Sequence, residues 1–111
     1  MSERLMRNAS LLKALHRASP TQRKRLLHTR CSSDFVNCMC EIAHNLFNGR
    51  IPLTQPQKEA LRRRRKTLHK LTLKKVNQKQ KKKIIQSGGF LGALLGPIIS
   101  VLGSIFGGRS N

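Results

Sequence analysis

The amino-acid sequence predicts an all-α protein, and three observations carry that prediction. Apolar residues in the first half recur every three or four positions, the period of a helix rather than that of a strand. Ser19 and Thr54 each have a glutamine three residues on and a proline in the first turn, the signature of a capped helix start. In the last stretch, bulky pairs alternate with small ones at four-residue spacing, which suits a helix and not a strand.

Taken in order, Leu5, Leu12 and Leu15, with Met6 and Ala9 beside them, form one stripe on a first helix of about residues 3–17. A second short helix runs from Pro20 to about His28. Ser32, Ser33 and Asp34 offer the cap of a third, whose face carries Phe35, Met39, Ile42 and Leu46 flanked by Val36, Ala43 and Phe47. Gly49 ends it and Pro52 stops any continuation. A fourth helix opens at Thr54 and Gln57 and reaches about residue 73, with Leu61, Leu68 and Leu71 as a sparse seam packed on the preceding helices. Beyond it a loose basic tether is expected unless an anion neutralises it, because neighbouring cations repel one another. The chain thus divides into a small helical unit (1–53), a basic helix and tether (54–87) and an apolar helix (88–111).

Composition narrows the function. With 111 residues the chain forms one small domain, which excludes a multidomain enzyme. Lys and Arg number 23 against 4 Asp and Glu, a formal charge of +19, so the partner is a polyanion: nucleic acid or anionic lipid. Thirteen of these cations fall between residues 58 and 83 with a single acid, Glu59. They are Lys58, Arg62, Arg63, Arg64, Arg65, Lys66, Lys70, Lys74, Lys75, Lys79, Lys81, Lys82 and Lys83, the candidate nucleic-acid-binding residues. No aromatic lies between residues 48 and 89, so single-strand stacking has no platform, and contact with a nucleic acid is expected to its phosphate backbone, without sequence preference. The plain alternative is a solvated face or a nuclear-localisation signal at Arg62–Lys66, but thirteen cations in this span exceed what such a signal needs.

Residues 84–108 carry no charged side chain and hold seven of the eight glycines. Phe90, Leu91, Leu94, Leu95, Ile98, Ile99, Val101, Leu102, Ile105 and Phe106 supply a wide apolar face; Gly92, Gly96, Ser100 and Ser104 supply a smooth one. As a helix, 90–108 spans roughly 28 Å, near the ~30 Å hydrocarbon thickness of a bilayer. Three readings stay open. One is a tail anchor flanked by Arg109 and Lys81–Lys83, another a membrane-disrupting peptide, and the third a helix buried in an oligomer through its small face. In a lipid-only reading the basic stretch would serve anionic headgroups.

Cys31, Cys38 and Cys40 are odd in number and crowded, which points to a reducing compartment. Arg4, Arg7 and Lys13 interrupt every early apolar run, so no secretory signal is visible. Cys40 and His44 stand at i, i+4, a spacing that can bite a metal, yet buried reduced cysteine is the simpler reading and no metal or cofactor is expected. Asp34 and Glu41 make no acidic dyad, and no enzyme is indicated.

The order of parts resembles a known viral family. A Lys/Arg-rich segment leads into Gly88-Gly89 and then Phe90-Leu91-Gly92-Ala93-Leu94-Leu95-Gly96-Pro97-Ile98-Ile99. This is similar to precursors of the adenovirus core peptide mu (protein X), and to small proteins of adenovirus-like Polinton (Maverick) elements and adintoviruses. The likeness covers about residues 58–108; Glu41-Ile42-Ala43-His44-Asn45-Leu46 is similar to the element-encoded proteins alone. It implies a minor virion protein acting in the virion and host nucleus, with association to host membrane. Its basic part would condense double-stranded DNA, and its tail would meet membrane, capsid proteins or its own copies. It also implies protease-sensitive junctions at Gly88-Gly89 and Gly107-Gly108. Ile105-Phe106-Gly107-Gly108 fits the protease pattern of an aliphatic residue, any residue and Gly-Gly, whereas Gln86-Ser87-Gly88-Gly89 departs from it at Gln86.

Overall fold

The structure, a computed structural model, describes residues 3–87 and 89–103. Among these residues the protein is all-helical. Its helices are α1 (Glu3–Arg7), α2 (Ala9–Arg17), α3 (Pro20–Thr29), α4 (Ser33–Phe47), α5 (Gln55–Arg63), α6 (Arg65–Thr72), α7 (Gln78–Gln86) and α8 (Gly89–Leu102).

Local chemistry sets the boundaries. The first apolar stripe is split at Asn8, whose Nδ2 donates to the Arg4 carbonyl at 2.8 Å and to Asp34 Oδ2 at 3.0 Å. A side chain that competes in this way for backbone partners breaks a helix. Ser19 caps α3 reciprocally: its Oγ accepts from the Gln22 N–H at 3.2 Å, and its own N–H donates to Gln22 Oε1 at 3.1 Å. Thr54 and Gln57 repeat the device on α5. Helix α4 starts on Ser32 Oγ, which accepts from the Phe35 N–H. It ends at Gly49, whose φ of 67° lets the Gly49 and Arg50 N–H groups reach back to the Leu46 and Asn45 carbonyls. The break between α5 and α6 falls at Arg64, inside five consecutive cations whose i, i+3 and i, i+4 neighbours repel.

Helix α4 packs against α1, α6 and α7, while α8 packs against α2, α5 and α7. One apolar core, drawn from all three stretches of the chain, runs from Leu5 and Leu12 through Phe35, Met39 and Leu71 to Leu94 and Leu102. Helix α7 touches both halves and corrects the expectation of a loose tether beyond residue 73. An Asn77–Gln80 capping box starts it and Ile85 is fully buried. Gln78 Nε2 donates to Asn37 Oδ1 at 2.8 Å, and Gln86 Nε2 to the Leu27 carbonyl at 3.1 Å. Burial of one face thus outweighs the repulsion along the other.

The expected lipid-length helix of residues 90–108 runs past the described residues, and its described part is α8. Helix α8 has 14 residues, roughly 20 Å at ~1.5 Å per residue. Among the described residues no helix is long and apolar enough to cross a membrane. Leu91, Leu94, Leu95, Ile98 and Leu102 are buried in this chain's own core, and Ile99 is half-buried. The small face points outward and takes polar cover. A Cβ on Gly92 would lie 3.4 Å from Arg23 Nη1, and one on Gly96 would lie 3.2 Å from Gln57 Nε2. The side chains of Phe90 and Val101, and all of Gly88, Ile105, Phe106, Gly107 and Gly108, lie outside the described residues; Gly89 begins α8.

Candidate nucleic-acid interface

Helices α5, α6 and α7 each separate leucine or isoleucine from lysine and arginine. Leu61, Leu68, Leu71 and Ile85 point into the core, and the cations occupy the remaining surface. Lys58, Arg62 and Arg63 stand on α5, Arg64 in the break, and Arg65, Lys66 and Lys70 on α6. Lys74 and Lys75 lie in the turn, and Lys79, Lys81, Lys82 and Lys83 on α7. Twelve of the thirteen are exposed; Lys81 is half-buried.

Among the described residues none of the thirteen forms an ion pair. Asp34 and Glu41 form their ion pairs at the α1–α4 junction. There Arg7 grips Asp34 with Nε at 3.3 Å and Nη2 at 3.0 Å, while Arg4 lies 3.6 Å from Asp34 and 3.5 Å from Glu41. The bonds from Arg7 and Asn8 hold the Asp34 carboxyl below the usual carboxylate range. These two acids, Asp34 and Glu41, therefore join helices, while the α5–α7 charge remains uncompensated.

Charge placement on these helices is uneven. Arg62 and Arg63, Lys70 and Lys83 sit in last turns, where they meet the negative ends of the helix dipoles. Helix α6 starts on Arg64, which also ends α5, with no side-chain cap and with Arg64, Arg65 and Lys66 around the junction.

Sequence reasoning missed how far the positive surface extends. From residue 4 to residue 33 there is no acid, and Arg17, Lys24, Arg25 and Arg30 are exposed on or beside α2 and α3. The missing acids were the available signal. Arg23 is the exception, since it donates from Nε to the Leu15 carbonyl at 3.1 Å and is half-buried over α8.

Cys31 and Cys38 are buried and Cys40 half-buried; burial pushes all three thiols up, Cys38 to about 12. Among the described residues no three His, Cys, Asp or Glu side chains are grouped to hold a metal ion. Phe47, on the surface of α4, meets the His69 ring of α6 at 5.4 Å. No protein-family model, curated protein or solved structure matches the chain.

Proposed function

We propose that this chain is a minor virion protein of an adenovirus-like virus or mobile element that binds and condenses double-stranded DNA without reading its sequence. One observation carries the reading: thirteen cations lie on three helices and the two connections between them, twelve exposed, with no ion pair among the described residues to neutralise them. Fixed on folded helices, they meet a duplex as a prearranged strip. Each phosphate contact releases condensed counterions, so binding gains entropy and weakens as salt rises.

In this proposal α8 fastens the basic helices from beneath. It packs on α5 and α7 directly, and Leu91, Leu94, Leu95, Ile98 and Leu102, which would otherwise face lipid, are buried in the core. The viral setting rests on the resemblance of residues 58–108.

The test is fluorescence anisotropy of a short random-sequence duplex titrated with the full chain at several salt concentrations. With six to ten phosphate contacts, affinity should fall by ~10³–10⁵ between about 50 and 200 mM salt. Replacing Arg62–Lys66 by glutamine should flatten the slope of log K against log salt by ~0.9 for each phosphate no longer neutralised. Absence of duplex binding at the lowest salt, or binding indifferent to salt, overturns the proposal. Preference for anionic vesicles over duplex at matched charge does so as well.

A further inference from the structure

A second basic feature lies largely outside the α5–α7 strip. Where the chain leaves α3 for α4, a cleft of about 430 Å³ opens between α1, the end of α3 and α7. Arg7, His28, Arg30 and Lys82 line it from three directions, with the Ser32 hydroxyl on its wall. Arg30 and Lys82 are exposed and form no ion pair among the described residues.

The wall is braced from behind. Arg7 spends Nε and Nη2 on Asp34, and the Asp34 carboxylate also accepts from Asn8, which is itself buried. That carboxylate cancels one charge, so Arg7, Arg30 and Lys82 leave the cleft net positive. Ser32 Oγ accepts from the Phe35 N–H to cap α4, which leaves its O–H free to donate. A guanidinium, an ammonium and a hydroxyl converging on a concave space match the oxygens of a tetrahedral anion.

We infer that this cleft is a phosphate-binding site, in which Arg30 and Lys82 make the charged contacts and the Arg7–Asp34 pair holds the wall. The site shares Lys82 with the α5–α7 strip, while Arg30 lies outside it. Its phosphate comes either from a nucleic-acid backbone or from a free phosphate compound, and the chemistry is the same.

The full chain is titrated with inorganic phosphate against chloride at matched ionic strength, following thermal unfolding and ³¹P line width. Wild-type protein should be stabilised and should broaden the phosphate line. Arg30→Gln and Lys82→Gln should each weaken phosphate binding about tenfold, the size expected when one charge-assisted hydrogen bond is removed. Arg50→Gln, at an exposed position after α4 and outside both the strip and the cleft, should leave it unchanged. Far-UV circular dichroism checks that the variants stay folded, as expected for exposed positions. A duplex that displaces phosphate from wild type and from Lys82→Gln alike, and so competes at Arg30, identifies the backbone as its source; one that leaves phosphate on Lys82→Gln identifies a free phosphate compound. No difference between phosphate and chloride for wild type overturns the inference, and so does full phosphate binding by the folded Arg30→Gln/Lys82→Gln double variant.

Discussion

Leu94→Ala tests the largest departure from the expected membrane helix. Leu94 is 0% exposed, and Leu91 and Ile98, one turn to either side, are 0% and 1% exposed. Truncating such a leucine costs ~2.7–5 kcal/mol, through lost transfer energy and the cavity left behind. A domain of this size has only ~5–15 kcal/mol in all. In urea, with a slope near ~2 kcal/mol per M, the midpoint should fall by ~1.3–2.5 M. The assay is a urea titration followed by far-UV circular dichroism, with Ser100→Ala, on the exposed side of the same helix, as control. That control should stay within ~0.5 kcal/mol of wild type. Leu91, Leu94, Leu95, Ile98 and Leu102 of α8 together represent roughly 8–15 kcal/mol of gross burial, comparable to the whole net stability. If Leu94→Ala unfolds where Ser100→Ala does, α8 is not part of the core and the packing argument fails.

Other outcomes follow from single contacts. Gly92→Ala should stabilise by ~0.5–1 kcal/mol in the same assay, because Gly92 is helical and its new methyl meets Arg23 Nη1 at an ordinary 3.4 Å. Gly49→Ala should instead destabilise by ~1 kcal/mol, since its φ is 67°. The depressed Asp34 carboxyl stabilises the fold above the unfolded-state pKa of about 4, and this contribution is lost as pH falls through the lower folded value. Thermal midpoints of wild type and Asp34→Asn should therefore differ at neutral pH and converge in acid; a constant gap would contradict the assignment. With its thiol pushed up to about 12 by burial, Cys38 should be alkylated far more slowly than half-buried Cys40 in the native state, as read by mass spectrometry. Equal rates would place Cys38 at the surface.

Much of the fold is legible in the sequence because it is local. The Ser19–Gln22 and Thr54–Gln57 boxes are four-residue patterns, and both form with their reciprocal bonds. Asn77–Gln80 has the same form, but like-charge repulsion among Lys79–Lys83 argues against a helix there as long as only local terms are counted. The deciding term is the buried Ile85, a tertiary fact. The split at Asn8 likewise depends on Asp34, far along the chain. Helix α8 shows the limit most clearly, because bulky residues spaced by glycines are equally apolar toward lipid and toward a protein core. For the candidate interface, the number of cations is readable from composition. Their separation from Leu61, Leu68 and Leu71 follows from helical period, whereas the cleft of Arg7, Arg30 and Lys82 needs three distant segments brought together.

The pairing of α2 with α8 has a kinetic consequence. These helices are joined by everything from α3 to α7, so their contact closes a loop of most of the described chain. Long-range contacts form late, after the entropy of closure has been spent. Here the closing loop also contains all thirteen cations of the strip, which repel one another while the chain is open. Screening that repulsion shortens the search, so refolding in stopped-flow should accelerate as salt or a polyanion is added. A polyanion present during synthesis would then act as a folding template for the same helices that bind it.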